Sequence, residues 1–285
     1  MTRLRRVPSA CPPTIRFSGQ SDTTVVDQRP PDRGHTPIKR KPPRRQTGAA
    51  FTCLLTRTAY ISEDVDVLIH AAWVLSGNDT SELWRQNVVG SRQLIEAARA
   101  AGVEKIVFIS SMSAYFGTRQ SYGQMKPVVE RTALDWGCVV IRPGLVYGAS
   151  SGGMAGTLQK ISGLPLWPRF RTAKLFLAYE EDVAAAMAAV IEIYDEMSGE
   201  ILGFAHPESL DLSSILTGLA PQHKRRPSVP LPALLVMGVL RVLERANVQF
   251  PFRSDSLLRL VEGAAILPGQ QLLTQRGVKF RALDA

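Results

Sequence analysis

The sequence predicts an α/β fold built on a doubly wound parallel sheet, and three observations carry that prediction. Short apolar runs at residues 65–72, 105–111 and 138–142 are bounded by polar residues, the pattern of parallel strands buried on both faces. The stretches between them place apolar residues at helical spacing. Strand, helix, strand, helix, strand in this rhythm demands right-handed crossovers, which put helices on both faces of one sheet. At 285 residues the chain is long enough to bury such a core.

The first strand is Val65-Asp-Val-Leu-Ile-His-Ala-Ala72. A helix follows, capped by Thr80 or Ser81 and running to Ala101-Gly102, where glycine supplies the stop. Val88, Leu94, Ile95, Ala98 and Ala101 mark its buried side. Lys105-Ile-Val-Phe-Ile-Ser-Ser111 is the second strand, residues 124–136 the second helix, and Cys138-Val-Val-Ile-Arg142 the third strand, ended by Pro143-Gly144. Beyond Gly148 the alternation loosens into a smaller mixed region. A Gly/Ser-rich loop at residues 149–153 precedes a short helix, and short strands at 174–178 and 200–205 flank a strong helix at 181–197. Residues 231–246 read as an apolar helix. Its uncharged stretch ends at Arg241, short of the roughly 20 residues that a membrane span needs, so core or partner packing is its expected role. Gly277-Val-Lys-Phe-Arg281 is a candidate last strand.

The net charge of +9 is unevenly spread. Residues 1–50 hold 11 Lys/Arg against 3 Asp/Glu, and the rest of the chain holds 23 against 22. No basic groove is therefore expected on the folded part, and no nucleic-acid partner. The same fifty residues carry 8 of the 19 prolines, which forbid long helices and central strands there. Three regions follow: a basic, Pro-rich irregular or disordered segment at 1–60, a sheet core with the catalytic motif at 61–150, and a substrate-binding and C-terminal helical region at 151–285. No apolar stretch follows Arg3, Arg5 and Arg6, so no secretory signal is expected. Cys11, Cys53 and Cys138 are odd in number and far apart, which argues against a disulfide framework or a zinc site. The four histidines are scattered too, so no metal is expected, and the location expected is cytoplasmic.

The chemistry concentrates in Tyr122-Gly-Gln-Met-Lys126, eleven residues after Ser111. On a helix, residues i and i+4 share a face, so the phenol and the ammonium point the same way. A cation beside a phenol favours the phenolate and lowers its pKa from about 10, so the tyrosine can trade a proton near neutral pH. Ser111, at a strand end, would hold a substrate oxygen beside it. The spacing alone also fits an ordinary exposed helix pair, so the neighbouring segments decide.

Those neighbours resemble the extended short-chain dehydrogenase/reductase superfamily, in particular its NAD-dependent epimerase/dehydratase branch. The matching pieces are Asp66-Val-Leu-Ile-His-Ala-Ala72, Asn87-Val-Val-Gly90, Phe108-Ile-Ser-Ser111 with Tyr115 four residues on, Tyr122-Gly-Gln-Met-Lys126, and Arg142-Pro-Gly-Leu-Val-Tyr-Gly148. Tyr179-Glu-Glu-Asp182-Val183 matches more loosely. The resemblance implies a Rossmann-like sheet and a cofactor, NAD or NADP. It implies Tyr122 as acid/base, Lys126 as its partner and a ligand of the nicotinamide ribose, and Ser111 as the group orienting the reacting hydroxyl or carbonyl. Ala71 and Ala72 would line the cofactor channel, with Pro143, Gly144 and Val146 near the nicotinamide. Ser111, Ser113 and Tyr115 would face the substrate, and Asn87 would brace the central strands. Read without the resemblance, His70 and Trp73 are packing residues, Ser110 and Ser113 bond locally to backbone, and Asn87 is a helix-surface amide. Arg142 fits a structural ion pair as well as a substrate contact.

One departure is large. The family opens with a strand and a Thr-Gly-x-x-Gly-x-x-Gly loop whose amides receive the cofactor pyrophosphate. Before residue 60 the chain offers Gly19, Gly34 and Gly48, which cannot form that loop, so the N-terminal βαβ half reads as missing or degenerate. About seventy residues precede His70, the length that half would occupy. An out-of-frame translation or a replaced segment accounts for both facts. The implied function is an NAD(P)-dependent oxidoreductase or epimerase acting on a nucleotide sugar or similar small metabolite. Dehydration is disfavoured, because Met112-Ser113 stand where family dehydratases carry Asp-Glu. The alternative is a non-catalytic member acting as a cofactor-sensing or accessory binding protein. A homodimer is compatible with either.

Overall fold

A computed structural model of the chain describes residues 65–75, 79–114, 121–149, 152–169, 174–220, 225–232 and 266–283, together with Val236 and Gly238; for residues 121–123 it describes the backbone alone. The segment at 1–60, its proposed frame change and the degenerate βαβ half lie outside those residues, as do Tyr115 and nearly all of the apolar helix expected at 231–246.

Strands β1 (Val67–His70), β2 (Lys105–Ile109), β3 (Val139–Pro143) and β7 (Ile201–Phe204) form one sheet in the order β1-β2-β3-β7. Every pair is parallel, with His70 opposite Phe108, Phe108 opposite Val140 and Pro143 opposite Phe204. All four carboxyl ends therefore reach the same edge. Side chains alternate across the sheet, as the pleat requires. Ile106, Phe108 and Val140 enter a core with Leu94, Ile95, Ala98, Met125 and Val129. Val107, Val139 and Ile141 face the other way, into a core with Val190, Leu202 and Phe204. The sheet is Rossmann-like and covered on both faces at β2 and β3; at β1 the burial expected on both faces is found on one, with Ile69 43% exposed.

Helix α1 (Thr80–Trp84) passes through a π-helical turn, Arg85–Val89, into α2 (Gly90–Ala100). Its cap is Asp79, not Thr80 or Ser81: the Asp79 carboxylate accepts from the amides of Ser81 (2.8 Å) and Glu82 (3.3 Å), the first-turn donors that lack a helical partner. The wide turn brings both Asn87 and Val88 inside. Gly102 ends the helix at φ 79°, where a Cβ would be strained. Helix α3 (Ser121–Asp135) starts three residues before the expected Gln124, so Tyr122 and Lys126 share it.

The smaller region holds β4 (Leu145–Tyr147) paired in parallel with β6 (Leu177–Tyr179), and β5 (Trp167–Arg169) paired with β8 (Ser228–Pro230). Helices α4 (Gly153–Ser162) and α7 (Leu212–Leu219) close a core around Tyr147, Leu158, Trp167, Leu177 and Leu216. The helix expected at 181–197 divides into α5 (Glu180–Glu192) and α6 (Tyr194–Met197). Residues 277–281 are not a strand. After α8 (Gln270–Gln275) the chain runs extended, burying Val278 and Phe280, with the Arg281 amide donating to Asp182 Oδ2 at 2.7 Å. A side-chain carboxylate takes the place of a ladder partner.

Candidate active site

The sheet's carboxyl edge gathers most of the expected site. Ser111 stands two residues beyond the end of β2, and its hydroxyl accepts from the Ser113 amide at 3.1 Å. The Met112 amide donates to the Pro143 carbonyl at 3.2 Å, tying the end of β2 to that of β3. Gly144 then turns the chain into β4. A Cβ there would lie 2.5 Å from the Phe176 carbonyl oxygen, so the close approach of strands requires glycine. Ala71 and Ala72 stand exposed beyond β1, and their small side chains leave the edge open. Val146 belongs to the β4–β6 pair and is 37% exposed. Tyr122 occupies the first turn of α3, one turn before Lys126. Its side chain and Tyr115 lie outside the described residues.

Lys126 is buried at 2% exposure. Its Nζ donates to the carbonyls of Ile109 (2.7 Å) and Ser110 (3.2 Å), the last residues of the β2 run. The ammonium also lies 4.4 Å from the Trp73 ring centroid and 5.3 Å from that of Phe108. Burial pushes its pKa down to about 7, against the opposing pull of Glu130. Beside it, His70 Nε2 lies 2.8 Å from Ser91 Oγ, and burial, helped by the Lys126 charge, holds this imidazole at about 4. His70 is therefore neutral at physiological pH.

Several of these contacts were not read from the sequence. Trp73 packs against the core as expected, and its ring also forms a face of the Lys126 seat. Asn87 is no surface amide: it accepts from the Val74 amide at 2.8 Å and donates to the Val74 carbonyl at 2.9 Å, bracing the loop after β1 rather than the strands themselves. Arg142 forms a bidentate pair with Glu130, at 2.8 and 2.5 Å. The structural ion pair expected as one reading of Arg142 is thus present, with Glu130 as its partner. Ser110 departs from the local backbone bonding expected of it, since its buried Oγ has no hydrogen-bond partner. Among the described residues no cluster of His, Cys, Asp or Glu has the grouping of a metal site. No described helix is long and apolar enough to cross a membrane.

Parallel strands ending at one open edge, with helices on both faces, define a Rossmann-like α/β protein with a candidate dinucleotide site. The chain belongs to the NAD dependent epimerase/dehydratase family, a family of NAD-dependent enzymes, which it matches over residues 20–202. The match begins inside the segment that lacks the glycine loop. The chain is 26% identical over 191 residues to a ceramide reductase of Caulobacter vibrioides, covering 63% of this chain and 58% of that protein. It thus spans less than two thirds of that relative's length. Among solved structures it resembles gox2253, with TM-score 0.57 and 19% identity over 77% of this chain and 75% of that one. It also resembles MoeE5 in complex with UDP-glucuronic acid and NAD, with TM-score 0.53 and 18% identity over 76% and 74%. These likenesses show the fold.

Proposed function

We propose that the chain is an NAD(P)-dependent oxidoreductase or epimerase, exchanging a proton and a hydride with a hydroxyl or carbonyl of a nucleotide sugar or similar hydroxylated metabolite. The observation that carries this reading is the seat of Lys126: a buried amine held by the Ile109 and Ser110 carbonyls at the end of β2, one helical turn from Tyr122. The relative named for ceramide reduction supports net carbonyl reduction. The residues present fit the ribose end of a nicotinamide dinucleotide: Ala71 and Ala72 are small and exposed beyond β1, and Lys126 places its charge just beneath the strand ends, on the Ile109 and Ser110 carbonyls.

When bound, the nicotinamide gives or takes the hydride. Tyr122 gives or takes the proton at the substrate oxygen, and the Lys126 charge favours its phenolate when the proton leaves. Ser111 holds the same oxygen through its hydroxyl, and Ser113 and Tyr115 line the substrate side. Pro143, Gly144 and Val146 flank the hydride path. Sealing Lys126 between Trp73 and the β2 carbonyls keeps water from screening its charge.

Titrating the purified chain with NADH and NADPH, followed by nicotinamide fluorescence, tests the reading. Saturable binding is expected, and Tyr122→Phe should lower turnover by about 10² to 10⁴ while leaving affinity nearly unchanged. No binding at millimolar cofactor would overturn it. Binding without turnover, indifferent to Tyr122→Phe, is the outcome that the cofactor-sensing or accessory alternative predicts; the lack of a glycine-rich loop before residue 60 favours that alternative.

A further inference from the structure

If Tyr122 and Lys126 act as the proposed acid/base pair, on which the following role rests, Lys126 must stay an ammonium while buried. Burial works against that charge. Among the described residues, the groups facing it come from β1, the loop after it, β2 and its end, and α3 itself. β2 supplies the Ile109 and Ser110 carbonyls and the Phe108 ring, and the loop after β1 supplies Trp73. His70 on β1 is uncharged at neutral pH. The helix itself supplies Glu130, one turn on and 3% exposed, whose charge favours the protonated lysine. Arg142 on β3 grips both Glu130 oxygens, at 2.8 and 2.5 Å, directly before Pro143-Gly144.

We propose that Glu130 is a positioning residue: clamped by Arg142, it supplies the negative charge that keeps Lys126 protonated and sets the spacing of α3 from Pro143-Gly144. A pair kept for stability alone has a different signature. Loss of either partner would then harm the fold alike, and the titration of Lys126 would follow neither.

Trp73 provides a readout that needs no cofactor or substrate, because Lys126 Nζ sits over its ring. Trp73 emission of the full chain is followed from pH 5.5 to 9.5. Trp73→Phe subtracts the other tryptophans, and Lys126→Met identifies the lysine transition. Glu130→Gln is expected to lower the midpoint by about one pH unit, a tenfold loss of proton affinity. Arg142→Gln is expected to raise it by a similar amount, since the Glu130 charge is then unopposed. Opposite signs are the signature of the proposed role. Shifts of one sign, or no shift in either variant, overturn it. Should a variant fail to fold, Glu130→Asp keeps the charge but withdraws it by one methylene; a smaller fall supports the role and an unmoved midpoint rejects it. A failed NADH titration would sink the proposed function and leave this result standing, so the two failures are distinguishable.

Discussion

Lys126→Met should make the protein more stable at neutral pH while disabling it. The substitution replaces a buried ammonium with an apolar chain of nearly equal length. In the fold, burial holds the lysine at about 7, whereas an exposed lysine titrates near 10.5. Between those values the unfolded chain carries a proton that the native state lacks, so wild-type stability rises with pH across the window. Below pH 7 the burial cost is fully present, roughly 5 kcal/mol from the gap between the two values, and most of it remains at pH 7. Methionine removes that cost but forfeits the bonds to the Ile109 and Ser110 carbonyls, about 1 kcal/mol each, and the Trp73 contact, about 1 kcal/mol. The variant should therefore gain about 2 kcal/mol at pH 7, and the gain should shrink and reverse by about pH 9. Urea unfolding of both proteins between pH 6 and 9.5 measures this directly. A variant less stable than wild type at pH 6, or a difference indifferent to pH, would refute the reasoning. The expected trade of activity against stability marks a group held for chemistry.

Two further outcomes follow from buried polar groups. His70 is held at about 4 against an ordinary 6.5, so the unfolded state binds a proton that the native state refuses between those values. Stability should fall by roughly 3 kcal/mol as pH drops through that window, and His70→Gln should flatten this acid limb in urea titrations between pH 4 and 7. Asn87→Ala strips both partners from the Val74 backbone and should cost about 2–4 kcal/mol in urea unfolding at pH 7; a loss below about 0.5 kcal/mol would mean that water replaces the amide fully.

The large elements were legible because their signals are local. Lys105–Ile109 and Val139–Pro143 are apolar runs buried on both faces, Val67–His70 is an apolar run that buries Leu68 and His70 while Ile69 stays 43% exposed, and α2 shows its helical stripe directly. Among the described residues five elements escaped: the short helices α7 and α8, and β4, β5 and β8, whose three residues each are too few for a period to show. The expected last strand failed for a related reason. Alternating Val278 and Phe280 look like a strand, but burial satisfied the alternation without a ladder, and a hydrogen-bond partner is not written in a segment's own residues. The N-cap was misplaced by one or two residues because Asp79, Thr80 and Ser81 are all competent caps, and only the backbone angles choose among them.

The sequence by itself determined the sheet and the order of its motifs, because each depends on spacing along the chain, whereas the start of α3 at Ser121, which puts Tyr122 on one helix with Lys126, came from the structure. The tertiary structure decided what surrounds them. Lys126 is seated by Trp73 and the β2 carbonyls, Glu130 is clamped by Arg142, and Asn87 closes the loop after β1. Each of those contacts joins residues at least a helical turn and up to 53 positions apart in the chain. Spacing determines which residues share a face, but the charge a buried group can hold depends on what the rest of the fold packs against it.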